Sequence, residues 1–295
     1  VVFYAHEQGM NVISAVKNEW FVFIAALIVA SGILAFGRDD GRAPVEKSAA
    51  PLVGYEELLP HRALYKVKMK TVRSGAQIVN VSGELVYEWR PVCGGVISDY
   101  HFDMHYDYSD AQPLDVKSHV ANFEPYDQAA LDFVTRRFNN GHLFQSVKGR
   151  ANFDASLVRY DLPSQVEEPM EQGVLSPTAY TLRVVEAIRA GEVSFSGRLF
   201  DGSDNKGPIW INSLIGREAE ARDYGAAVAP EALGAPARHV HMAFFSGAGG
   251  DSMPDYEMNA IFHLNGVMRS VQIEYDDFSV VQELVSLDVL EGGCK

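Results

Sequence analysis

From residue 60 onward, apolar and polar positions alternate with a period of two over much of the chain, as half-buried β-strands require. Ala63, Tyr65, Val67, Met69 and Thr71 share one side of a first run, opposite Lys66, Lys68 and Lys70. Ser74-Gly75 turns the chain. Val79, Val81, Gly83, Leu85, Tyr87 and Trp89 then share a side, opposite Asn80, Ser82, Glu84, Glu88 and Arg90. A third run spans Val96–Tyr108. Asn140-Gly141 separates Leu131–Phe138 from His142–Val147, and Asn265-Gly266 separates Tyr256–Leu264 from Val267–Tyr275. Asn-Gly between such runs predicts a hairpin, because a type I′ turn needs positive φ at two successive residues. Val193–Phe200, Ile209–Ile215, His239–Phe245 and Phe278–Leu290 bring the set to about a dozen strands.

One segment has helical periodicity. Ser176 can cap it, Pro177 suits its first position and Gly191 its end. Thr181, Val184, Val185 and Ile188 fall on one face, which predicts an amphipathic helix packed on a sheet. Residues 224–236, rich in Ala, Pro and Gly, read as a loop. With no internal repeat and no break in the pattern after residue 60, the expected fold is mostly β. It is a single large, twisted antiparallel sheet with one packed helix. Tyr65, Tyr87, Trp89, Phe102, Phe133, Trp210, Phe244 and Phe262 are expected to face inward. The concave side of so curved a sheet is the expected place for an apolar groove that takes a lipid or hydrophobic peptide.

The N-terminus changes the compartment. Phe21–Gly37 carries no charge, and Ala35-Phe36-Gly37 fits the small-x-small cleavage rule, so the segment reads as a signal peptide, the alternative being a retained membrane anchor. Met10 would start a conventional signal. The predicted organisation is an N-terminal extension and signal over residues 1–37, a disordered linker over 38–58 and a β domain over 59–295, delivered to the periplasm. In that oxidising setting the chain's two cysteines, Cys93 and Cys294, are expected to form a disulfide closing 201 positions. The bridge would join an early strand to the last and so tie down the edges of the sheet. The formal charge is −14, nearly all of it beyond residue 37, and no Lys/Arg run offsets it. Nucleic-acid binding is therefore disfavoured.

Candidate chemistry is sparse. His101, Asp103, His105 and Asp107 alternate with aromatic and Met residues, so on a strand they point one way at intervals of about 6.8 Å. His239 and His241 form a second pair. Were the two strands neighbours, His101, Asp103, His105, His239 and His241 would supply ligands for a divalent metal, the basis of an alternative reading as a metal-dependent enzyme. The simpler reading is a water-facing polar side, with no catalytic residue, metal or other cofactor. No Gly-x-Ser-x-Gly elbow occurs. Gly247–Ser252 is Gly-rich without the following Lys of a phosphate loop and reads as a hairpin loop. Asp201–Asn205 reads as a turn and not a calcium loop, and Asp276-Asp277 as a solvated turn.

Several pieces together carry a resemblance. Leu59-Pro60-His61-Arg62-Ala63-Leu64-Tyr65, Gly83-x-x-x-Tyr87-Glu88 leading to Cys93, and the helix opening at Ser176-Pro177-Thr178 are three of them. Leu199 to Asp204, Ile215-Gly216, Pro254-Asp255-Tyr256-Glu257, Asn265-Gly266-Val267-x-Arg269 and Tyr275-x-Asp277-Phe278 follow in order. Over about residues 58–295 the chain resembles the EipB-like cell-envelope integrity family. The resemblance implies a periplasmic protein of Gram-negative bacteria with a spiral-like sheet whose ends are joined by a disulfide, mapping onto Cys93 and Cys294. It implies a non-enzymatic role in envelope integrity and outer-membrane homeostasis, through an unidentified envelope component, lipid or protein. Membrane contact is then transient, through the signal segment. An aromatic often follows the first cysteine in this family, and Gly94-Gly95-Val96 has none.

Overall fold

The computed structural model describes residues 54–222, 224–246 and 253–292, apart from the side chains of residues 226, 230 and 231. The expected signal segment, most of the linker, the Gly247–Ser252 loop and Cys294 lie outside these residues. Fourteen strands form one antiparallel sheet among the described residues. The first eight run as a meander: β1 (His61–Val72), β2 (Ile78–Val92), β3 (Gly95–Tyr108), β4 (Leu114–Pro125), β5 (Ala130–Asn139), β6 (His142–Asn152), β7 (Leu157–Leu162) and β8 (Val166–Pro169). Helix α1 (Pro177–Ala190) follows. A second meander returns: β9 (Ser194–Leu199), β10 (Ile209–Glu218), β11 (Ala237–Phe245), β12 (Tyr256–His263), β13 (Met268–Glu274) and β14 (Phe278–Val289).

The spatial order is β8 to β1, then β14 to β9, so the last strand pairs with the first at the middle of the sheet. His61 stands opposite both Trp89 of β2 and Val289 of β14. The edges are β8 and β9, consecutive in the sequence. The expectation that a bridge between an early strand and the last would tie down the edges is therefore corrected, because those strands are central. The edges are blunted otherwise. β8 is short and exposed, with Glu167, Glu168 and Pro169 in it, features that discourage pairing with another chain. The end of β9 is covered by the segment before α1, where Leu175 N–H donates to Arg198 C=O and Phe200 N–H to Leu175 C=O, both at 3.0 Å.

α1 shows that the sheet curls. Its first turns meet Trp89 of β2 and Glu124 of β4 on one side, and Phe195 of β9 and Ser213 of β10 on the other. β4 and β10 lie eight strand steps apart in the sheet order. A flat sheet would separate them by about 38 Å, but a helix is only about 10–12 Å across. The sheet therefore wraps around α1. Ser176 caps the helix and Gly191 ends it in the left-handed region at φ 69, as the sequence predicts. The expected single apolar face is too narrow a description: Pro177 to Leu182 are all buried, because the first turns sit inside the curl. Arg189 in the last turn reaches out to Glu57 at 2.7 Å.

Four local expectations are corrected. Val79 is 45% exposed, whereas Ile78 and Val81 are buried; a register shift between Ile78 and Asn80 marks a bulge that reverses the alternation. Trp210 lies on the outer face of β10, donating to the exposed Asn212 side chain at 3.1 Å, while Ile211 and Ser213 face inward. Asn140-Gly141 makes the expected hairpin, with φ 46 and 80. Asn265-Gly266 also lies in the expected hairpin, between β12 and β13, but four residues make that turn and only Gly266 among them has positive φ, so it is not of type I′. There Asn265 uses its side chain instead, donating to Ala232 C=O at 2.8 Å. The segment read as a loop over residues 224–236 is loop with two short 3-10 turns, but it is packed: Val228 bridges to Leu287 and Ala232 is fully buried.

Candidate functional site

Beside the N-terminal end of α1 the concave side is packed and offers no groove. The void beside α1, bordered by Leu58, His61, Tyr87, Trp89 and Tyr100, measures about 10 Å³, room for about one water. Trp89 Nε1–H donates to Thr178 Oγ1 at 3.2 Å, and that hydroxyl donates to Glu124 Oε1 at 2.7 Å. Glu124 also accepts from Thr178 N–H at 3.0 Å and from the Ser176 hydroxyl. Burial pushes this carboxyl up, and the donors from Ser176 and Thr178 pull it down. A buried carboxylate thus closes the N-terminal end of α1, where the helix dipole and its free N–H groups favour an acceptor.

A space large enough for a ligand lies on the opposite face of the sheet. A groove of about 720 Å³ runs over the outer side of β3 to β8. Its floor is half-buried and apolar: Ile97, Ala121, Phe123, Val134 and Leu157. Its rim is charged, with Lys148, Arg150 and Arg159 set among Asp132, Asp161 and Glu167. Arg150 Nη1 reaches both oxygens of Asp132, at 2.9 and 2.7 Å. The hollow has a local cause. A register shift between Lys148 and Gly149, both in the groove's lining, marks a bulge, and bulges bend a sheet. Sequence reasoning missed this site because it did not recognise β4, β7 and β8 as strands.

The His/Asp face is real but does not assemble as expected. His101, Asp103 and His105 lie on the outer side of β3, and His239 and His241 on that of β11, with five strands between them. The five-residue metal set is therefore not brought together, and the alternative reading built on it loses its geometry. Asp103 pairs with Lys117. His105 lies between Asp115 at 2.7 Å and Asp107 at 3.2 Å, and hydrogen bonding to Asp115 shifts its imidazole upward. His241 lies 3.0 Å from the Asn259 side chain and 3.4 Å from Glu257. His101 instead meets Asp99 of its own strand, at 2.6 Å, and stacks on His119 of β4 with ring centroids 4.2 Å apart. The other readings resolve simply. Asp201–Asn205 is a turn, with Ser203 N–H donating to Asp201 Oδ1 at 3.0 Å, but it is tucked inward, with Gly202 against the Phe133 ring. Asp276-Asp277 is the turn between β13 and β14. Cys93 falls in the turn after β2, and Cys294 is beyond the described residues.

Two buried ionisable groups set opposing pH dependences. His61 is buried with Nδ1 2.7 Å from Leu59 C=O, and burial pushes its imidazole down to about 4. Its folded value lies below the unfolded one of about 6.5, so the unfolded chain binds the proton first. The stabilisation is full above pH 6.5, and about 3 kcal/mol is lost as the pH falls to 4. Burial pushes the Asp201 carboxyl up to about 6. Its sign is reversed: the folded form holds a proton that the unfolded one releases, so stability is gained as the pH falls from 6 towards 4. The two trends oppose each other in the native protein. In the variant His61→Gln the Asp201 trend is left exposed, and urea midpoints are expected to rise between pH 6.5 and 4.5 relative to the native protein. Parallel midpoint curves for the two proteins would show that His61 does not titrate this way.

Residues 53–291 match the EipB-like family. The chain is 25% identical over 277 residues to the cell envelope integrity protein EipB of Brucella abortus (strain 2308), covering 92% of this chain and 96% of that protein. Its fold is also similar to the crystal structure of a β-barrel-like protein of a domain-of-unknown-function family from Brucella abortus. That likeness has a TM-score of 0.74 at 23% identity and covers 79% of this chain and 99% of the other. In the present sheet β8 and β9 are not paired, so the curl stops short of a closed barrel. The match spans all fourteen strands and the helix they enclose, and the chain belongs to the EipB-like family.

Proposed function

We propose that this protein is a non-enzymatic periplasmic factor that supports cell-envelope integrity by holding an amphipathic envelope component in the outer groove over β3 to β8. The name of its Brucella relative supports the envelope role, and the N-terminal apolar segment supports export. The groove itself carries the binding reading. An apolar floor within a charged rim matches an occupant with an apolar body and a charged or polar end, such as a lipid or an amphipathic protein segment. Among the described residues no helix is long and apolar enough to cross a membrane.

A photo-crosslinking residue placed at Val134, on the groove floor, is expected to capture an envelope component in intact cells. The same residue at Val193, 75% exposed and away from the groove, should capture none. Mass spectrometry of the adduct would identify lipid or protein. Equal capture at both positions, or none at Val134, would remove the groove from the argument.

A further inference from the structure

The outer face of β3 and β4 carries a chelating arrangement that the five-residue set did not include. His101 and His119 stand directly opposite each other in the β3–β4 ladder. Their rings are stacked at 4.2 Å with 13° between the planes, and both present Nε2 to the same carboxylate. Asp99 Oδ1 is 2.6 Å from His101 Nε2, and Oδ2 is 3.1 Å from His119 Nε2. One ligand atom from each of the three residues lies within 4.8 Å of the others. On a tetrahedral zinc ion, ligand atoms stand about 3.3 Å apart, so the trio needs only small side-chain rotations to converge. Asp99 Oδ1 is shut off from solvent and has no aligned hydrogen bond despite the nearby nitrogen. A buried oxygen without a donor is costly, and a cation between it and the imidazoles would satisfy it.

We infer that Asp99, His101 and His119 form a binding site for a divalent transition metal of the zinc class. Two imidazoles and one carboxylate suit zinc and its neighbours. Calcium and magnesium prefer an all-oxygen shell. Three protein ligands leave coordination positions open, as sites that take water or an external donor do. The place also has a relation to the groove: Asp99 is paired with Ala121, a floor residue, so an ion there borders one end of it. The inference does not depend on what occupies the groove. Its test reads metal binding alone.

Calorimetric titration of the oxidised full chain with zinc is expected to show one site per molecule. Asp99→Asn and His119→Gln should each weaken it by more than about tenfold, since even outer partners of metal ligands are worth 10–100-fold. His105→Gln and His241→Gln should leave it unchanged. All four side chains lie on the outer face of the sheet, and an unchanged thermal midpoint would establish that each variant is folded. Cobalt titrated in place of zinc should give visible d–d absorption that disappears in His119→Gln. Absence of binding by the native chain, binding that survives Asp99→Asn together with His119→Gln, or equal weakening by His241→Gln would overturn the assignment.

Discussion

Reduction of the folded protein is expected to lower its thermal midpoint by about 10–20 °C, and Cys294→Ser to do the same without reductant. The magnitude follows from the span. A link closing a loop on the order of 200 residues is worth about 5 kcal/mol in the chain-entropy treatment, and each kcal/mol shifts a domain of this size by about 2–4 °C. One contact among the described residues bears on the proposed pairing of Cys93 with Cys294. Gly292 packs so closely on Pro91 that a Cβ there would lie 2.4 Å from Pro91 Cγ, which brings the backbone two positions before Cys294 beside that two positions before Cys93. The proposed clasp would then span the common end of β2 and β14, across the start of β1, at the middle of the sheet. Two sulfhydryls open to alkylation in the native, unreduced protein would exclude it, as would a midpoint indifferent to reductant.

Glu124→Ala is expected to destabilise the protein by about 3–5 kcal/mol, the range for stripping a buried charged or hydrogen-bonded group of its partners. The loss would fall on three donors at once: the Ser176 hydroxyl and the amide and hydroxyl of Thr178. It would also leave a void where the α1 N-terminus meets β4. Glu124→Gln keeps one carbonyl acceptor and should lose less. Urea unfolding followed by Trp fluorescence suits the measurement, because Trp89 donates to Thr178 and so reports on the same end of the helix. A cost below about 1 kcal/mol for Glu124→Ala would mean that α1 is held by apolar contacts alone.

These two sites also show what the amino-acid pattern can and cannot reveal. β1, β2 and β3 were legible because their inward positions are apolar and their outward ones charged. β4 obeys the same alternation in space, yet its inward residues include Ser118, Asn122 and Glu124, so the hydrophobic signal cancels. Missing β4 hid His119, the groove floor at Ala121 and Phe123, and the carboxylate that seats the helix. The α1 boundaries were legible from Ser176, Pro177 and Gly191, which act within a few residues of themselves. The degree of its burial was not, because it depends on β9 and β10 arriving from the far arm. Trp210 was misplaced for a related reason: on β10 both faces carry large apolar residues, and Leu214 is 54% exposed. The resemblance to a family was legible in short ordered pieces distributed along the chain, whereas the groove is made by strands β3 to β8 acting together.

The seam at the centre of the sheet has a consequence for how the molecule can be made. His61 and Val289 are partners across it, so the two extremities of the domain must find each other before the structure is complete. A polypeptide threaded out N-terminus first can lay down the β1–β8 meander as it emerges, each strand folding back on the one before. It cannot cover the other side of β1 until β14 has cleared the exit. Until then β1 is a temporary open border with a hydrogen-bonding edge available to any neighbour, and the closing step is a long-range one, the slow kind in β topologies. For a chain exported in this way, assembly would be tied to completion of transport, and the interval before β14 docks is when a chaperone would matter most.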